Sequence, residues 1–68
     1  MKFKIHTDYI QLIQLLKAIQ WAETGGQAKW LVEEGLVRLN GEVEFRKRAK
    51  LRVGDVVEMD GMQVLITG

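Results

Sequence analysis

No cysteine and no proline occur among the 68 residues, and histidine occurs once. The missing cysteines exclude disulfide staples, thiolate metal sites and cysteine nucleophiles together. They leave the redox compartment open, although a disulfide-free domain this small is most at home in a reducing cytosol, so a cytoplasmic location is expected. No apolar run approaches the roughly 20 residues that a bilayer requires, so no membrane partner is expected. Met1-Lys2-Phe3-Lys4-Ile5 alternates in polarity and no apolar segment follows, so no secretory signal is expected either. Low-complexity stretches and internal repeats are also absent.

What remains is enough for one domain, residues 1–68. Folding at this length buries about 60 % of the unfolded surface, which leaves a thin margin of stability. The hydrophobic content, 47 %, is that of an ordinary globular chain and argues against disorder. Net charge is only +1, yet residues 46 to 52 hold Arg46, Lys47, Arg48, Lys50 and Arg52 with no acid. That heptapeptide is +5, which leaves −4 for the rest of a chain whose total is +1. A near-neutral sum therefore conceals a polarised molecule.

Polarity alternates over Lys2 to His6, the pattern of a short strand with Phe3 and Ile5 inward. Thr7-Asp8 offers N-cap chemistry ahead of Leu12, Leu15, Leu16 and Ile19, an apolar stripe at i, i+3, i+4 and i+7. Ile10 and Ile13 widen the stripe, and the pattern predicts a helix over about 9–20. Thr24-Gly25-Gly26-Gln27 fits a capping box, and Ala28, Leu31 and Val32 follow at helical spacing. Gly35 sits where a left-handed residue closes a helix. This second helix is too short to persist alone and must dock on the first.

From Leu36 the period becomes two. Asn40-Gly41 predicts a tight hairpin, with Glu42 to Phe45 returning. Gly54-Asp55 marks a turn, Val56 to Met59 a strand, Asp60-Gly61 a second tight turn and Met62 to Ile66 a last strand. The outline is an α+β domain, two helices covering one face of a small antiparallel or mixed sheet.

From Ala22 to Val57 the chain resembles the S4 RNA-binding domain, found in a ribosomal small-subunit protein, tyrosyl-tRNA synthetases and RNA pseudouridine synthases. The match runs through Thr24, Ala28, Leu31-Val32, Gly35, Val37 and Leu39-Asn40-Gly41 in register, then Leu51-Arg52-Val53-Gly54-Asp55. In size it is most similar to stand-alone bacterial S4 proteins, which carry no catalytic domain. The resemblance implies a two-helix αL-type RNA-binding motif packed on the sheet. It also implies a partner among structured RNAs: ribosomal RNA, or a ribosome-associated RNA such as tRNA. Two family arginines that touch phosphates are replaced, one by Gly25 and one, on the first helix, by Gln11. The charge for RNA binding must then come mainly from elsewhere.

The basic run is the first source. Were residues 46 to 52 extended, Arg46, Arg48, Lys50 and Arg52 would share one face at about 6–7 Å spacing, with Ala49, Leu51 and Val53 inward. Such a row can follow a phosphate chain; its ordinary role would be a solvated edge strand protected by charge. Lys47 belongs to the same run. Thr24-Gly25-Gly26 is the second: free amides at a helix start accept anions, glycine lets a phosphate approach, and Lys29 is one turn away. Its ordinary role is a tight turn between helices. Arg38 and Asn40 are the third, Arg38 expected outward beside the basic strand, and Asn40 chiefly the residue that accepts positive φ in the turn. Trp21 and Trp30 are expected in helix docking, Trp30 partly exposed because it lies off the apolar stripe; an exposed indole stacks on bases in some RNA proteins.

His6 has no second ligand at metal spacing, and no nucleophile–base pair, phosphate loop or nucleotide fingerprint occurs. No catalytic residue, metal, cofactor or small-molecule substrate is therefore expected. Two other function classes share some of the pattern. The opening strand, Leu39-Asn40-Gly41-Glu42 and Val53 to Val57 also resemble β-grasp sulfur carriers, but Ile66-Thr67-Gly68 lacks their terminal Gly-Gly. An adaptor docking an acidic protein would use the same charge polarity.

Overall fold

The computed structural model describes all 68 residues. In chain order the elements are β1 (Lys2–Lys4), β2 (Ile10–Gln11), α1 (Leu12–Ala18), α2 (Gly25–Glu33), β3 (Val37–Leu39), β4 (Glu42–Val43), β5 (Lys50–Leu51), β6 (Val56–Met59) and β7 (Met62–Thr67). Five strands form a mixed sheet in the order β1-β7-β6-β3-β4, with β1 parallel to β7 and the other pairs antiparallel. β2 and β5 form a separate antiparallel ribbon. The expected α+β architecture is therefore present, with the ribbon as an addition. No helix is long and apolar enough to cross a membrane.

One core holds the layers together. Leu12, Leu15 and Leu16 of α1 meet Ala28, Leu31 and Val32 of α2 and Val37, Val57, Val64 and Ile66 of the sheet. Every strand alternates, so these positions line one sheet face, while Arg38, Glu58 and Gln63 form a cross-strand row on the other. In a domain this small, truncating one such leucine to alanine costs about 2–5 kcal/mol, a large share of the total.

The second helix follows its sequence signals. The Thr24 hydroxyl oxygen accepts from the Gln27 amide at 3.0 Å, and the Gln27 side-chain oxygen accepts from the Glu23 amide at 2.7 Å. Gly35 takes φ 74°. Its amide donates to Val32 and that of Leu36 to Leu31, satisfying two carbonyls at the helix end.

The first helix is shorter than its periodicity predicts. Ile10 and Gln11 leave the helix to pair with Leu51 and Lys50. Thr7 does not cap it; its hydroxyl donates to the Tyr9 carbonyl at 2.8 Å. The amides of Leu12 and Ile13 donate instead to the carbonyls of Ala49 and Lys47, at 2.9 and 3.1 Å. At the other end Gln20 takes a left-handed φ of 63°, and the amides of Gln20 and Trp21 donate to Lys17 and Leu16. This is the same closure as at Gly35, made without glycine.

Those bonds to Ala49 and Lys47 explain a second correction. The basic run is not one extended strand. Arg46 to Ala49 form a turn, the Ala49 amide donating to the Arg46 carbonyl at 3.0 Å, and only Lys50–Leu51 are extended. The chain has to wrap around the start of α1 to supply acceptors for its free amides. Ala49 and Leu51 are buried as expected, but Val53, expected inward, is 60 % exposed because a second turn begins at Arg52.

Both tight hairpins form. Asn40-Gly41 and Asp60-Gly61 have positive φ at both residues, which suits the twist of the flanking strands. The returning strand is only Glu42–Val43, after which Phe45 turns its ring onto Gly35.

Candidate nucleic-acid interface

The ribbon sorts its side chains by alternation. Leu51 is fully buried and sits opposite Ile10, so the neighbours Tyr9, Gln11, Lys50 and Arg52 face outward. Gln11 lies directly across from Lys50. The Lys50 ammonium is 4.9 Å from the centre of the Tyr9 ring and the Arg52 guanidinium 5.8 Å. Arg52 also reaches the Asp8 carbonyl at 3.5 Å. Beside these, Arg46, Arg48, Ala49 and Lys50 line an open groove of about 370 Å³. Lys47 and Arg48 occupy the turn at its tip.

α1 carries this surface onward. Its apolar side is buried, and Gln11, Gln14 and Lys17 follow one another at i, i+3 and i+6 along the polar side. Lys17 ends the stripe with its ammonium 4.0 Å from where a Cβ on Gly25 would stand. The amino end of α2 therefore lies next to a lysine of α1. Lys29 is one turn into α2 on the side of Gly25 and Gly26, and helical side chains lean back toward the amino terminus. About 10 Å, the length of α1, separates this cluster from the ribbon.

Three other residues singled out in the sequence lie apart from that stripe. Arg46 is bound by Glu44, with bonds of 3.1 and 3.0 Å from Nε and Nη2, the one ion pair in the molecule. The hydrogen-bonded Arg46 side chain foremost holds the Glu44 carboxyl below the usual carboxylate range; burial opposes it, and the Arg46 amide, the Arg46 charge and the Phe45 amide add to the lowering. Arg38 stands on the open sheet face between Val43 and Glu58, not beside the basic strand, and donates to the Gly41 carbonyl at 3.3 Å. Asn40 uses its whole side chain internally: Nδ2 donates to Asp55 at 3.1 Å and Oδ1 accepts from the Val56 amide at 2.9 Å. Leu39-Asn40-Gly41 and Gly54-Asp55, separate in the chain, are thus one hydrogen-bonded unit.

The S4 domain model matches residues 3–67, nearly the whole chain. This chain belongs to the S4 domain family. It is 41 % identical over 58 residues to YbcJ of Escherichia coli strain K12, covering 85 % of this chain and 83 % of YbcJ. It is 46 % identical over 57 residues to RlbA of Bacillus subtilis strain 168, named as a probable ribosome maturation protein, covering 84 % and 80 % of the two chains. Its fold superposes on the solution structure of E. coli YbcJ, which revealed an αL motif involved in RNA binding. There the TM-score is 0.75 at 37 % identity, over 98 % of this chain and 86 % of that one.

Against the S4 pattern, the two positions without arginine each have a lysine from another element. Lys50 stands across from Gln11, and Lys17 beside Gly25. Sequence reading had Lys50 but missed Lys17, Gln14 and Tyr9. Lys17 was detectable as the one cation of α1, opposite its leucine stripe. Tyr9 was not, because only a pairing some forty residues away takes it out of the helix.

Proposed function

We propose that this S4 domain is a non-catalytic module that binds structured RNA, ribosomal RNA or a ribosome-associated RNA such as tRNA, in the cytoplasm. The observation that carries the reading is the continuous polar stripe from Lys50 and Arg52, through Gln11 and Gln14, to Lys17 and the first amides of α2. None of its cations has a carboxylate within 4.0 Å. Free cations along one stripe, together with unpaired helix amides, suit a sugar–phosphate chain and carry little sequence information. The αL motif of YbcJ and the ribosome maturation role in RlbA's name support the same class of ligand. Arg48, Lys47 and Lys29 add charge at the two ends; Thr24, Gly25 and Gly26 form the helix start that a phosphate would meet.

Titration of the protein with ribosomal RNA fragments at several salt concentrations tests the proposal. With about four to six phosphate contacts, log K falls against log salt with a slope of about −3 to −5. A flat response would overturn it, as would a complex from cells that survives ribonuclease, which would favour an acidic protein partner.

A further inference from the structure

Three aromatic rings are markedly solvent-exposed: Phe45 at 64 %, Trp30 at 55 % and Tyr9 at 37 %. Only Tyr9 has cations over it, Lys50 at 4.9 Å and Arg52 at 5.8 Å from the ring centre. Neither cation has a carboxylate partner, and the Tyr9 hydroxyl bonds to nothing in the protein. The backbone that carries the ring is also held in place. Thr7 donates to the Tyr9 carbonyl, Arg52 to that of Asp8, and Ile10 is paired in the ribbon.

From this arrangement we propose that Tyr9 is a stacking platform for one unpaired base, with Lys50 and Arg52 holding the phosphates that flank it. This rests on the RNA-binding reading above and narrows its ligand. Bases inside an A-form stem present no free face for a ring to stack on; their major-groove edges lie too deep for side chains, and the shallow minor groove offers only edges and 2′-hydroxyls. A ring with two free cations beside it therefore meets a free base face only where a nucleotide has left the stack. Stacking is tolerant of base identity because every base has a π face, so the preference is for an unpaired position rather than a sequence. With the cluster of Lys17 and the α2 amides about 10 Å away along α1, the RNA recognised is a stem that ends in, or is interrupted by, an unpaired nucleotide.

The test uses the intact protein and two RNAs, a blunt hairpin stem and the same stem with a short single-stranded extension carrying 2-aminopurine. The wild type binds the extended RNA roughly tenfold more tightly than the blunt one and quenches 2-aminopurine fluorescence. Tyr9→Phe retains both effects. Tyr9→Leu, which keeps bulk over the ribbon, loses the preference and the quenching while still binding the blunt stem. Equal wild-type affinity for the two RNAs, or a preference that survives Tyr9→Leu, overturns the platform and leaves general RNA binding intact. Equal loss of both RNAs by Tyr9→Leu also overturns it, since the ring would then only seat the two cations. If neither RNA binds the wild type in a salt-dependent way, the broader reading fails first.

Discussion

The side-chain amide of Asn40 donates to the Asp55 carboxylate at 3.1 Å, tying the β3–β4 hairpin to the turn that precedes β6. Asp55 accepts in addition from the Arg52 amide at 2.8 Å, and Asn40 from the Val56 amide at 2.9 Å. The Asn-Gly and Gly-Asp elements of the S4 pattern are the two halves of this latch. Asn40 also has φ 52°, so two roles coincide at one residue. Asn40→Gly separates them, keeping the backbone conformation and removing both side-chain bonds. It should lower stability by about 1–2 kcal/mol. The RNA affinity of the folded variant should change less than twofold. Thermal melting and a binding titration read the two quantities; a large affinity loss without loss of stability would make Asn40 an RNA contact.

Gln20 closes α1 in a left-handed conformation, φ 63°, that costs a residue with a Cβ about 1–2 kcal/mol. Gln20→Gly removes that cost but loosens the unfolded chain. The net expectation is a gain of about 0.5–1 kcal/mol, seen as a melting temperature several degrees higher for a domain of this size. A lower melting temperature would mean that the Gln20 side chain contributes contacts exceeding its backbone strain.

Gln20 also shows where sequence reasoning stops. Helix α2 was legible because its start and stop are local: Thr24, Gln27 and Gly35 act within a few residues of themselves. Both Asx-Gly hairpins were legible for the same reason. The limits of α1 were not, since one is set by pairing of Ile10 with Leu51 and the other by a closure made without glycine. The basic run was recognisable as a concentration of charge but not as a shape. Its turn exists because Leu12 and Ile13 need carbonyls from Ala49 and Lys47. Long-range pairing decided which cations face outward together, and so which joined the stripe.

Glu44 gives the domain a pH dependence whose sign is fixed by its partner. Arg46 holds the folded-state carboxyl below its ordinary value. A carboxylate depressed on folding adds stability above its unfolded pKa, about 4.3, and that stability is lost as pH falls through the folded value. Glu44→Gln should therefore be less stable than wild type at neutral pH, with the gap closing in acid. Parallel urea titrations across that range check it. A gap that stays constant with pH would mean that the ion pair does not contribute. The same variant frees Arg46 beside the groove, so its salt slope for RNA should steepen by a little under one.

Lys17 and Gly25 allow the sharpest test of the interface. If Lys17 supplies the charge absent at position 25, Lys17→Ala should weaken RNA binding at moderate salt and flatten the slope by about 0.7–0.9, with little change in stability since the side chain is exposed. A Cβ on Gly25 would meet nothing closer than the Lys17 ammonium, 4.0 Å away, so a longer side chain fits. Replacing an exposed helical glycine also favours the helix, by up to about 1 kcal/mol. Gly25→Arg in the Lys17→Ala background should then restore affinity and slope together. A gain of stability without recovery of affinity and slope would separate a helix effect from a phosphate contact. Recovery of affinity and slope would mean that the position of the cation in space, not the element it comes from, is what the RNA detects.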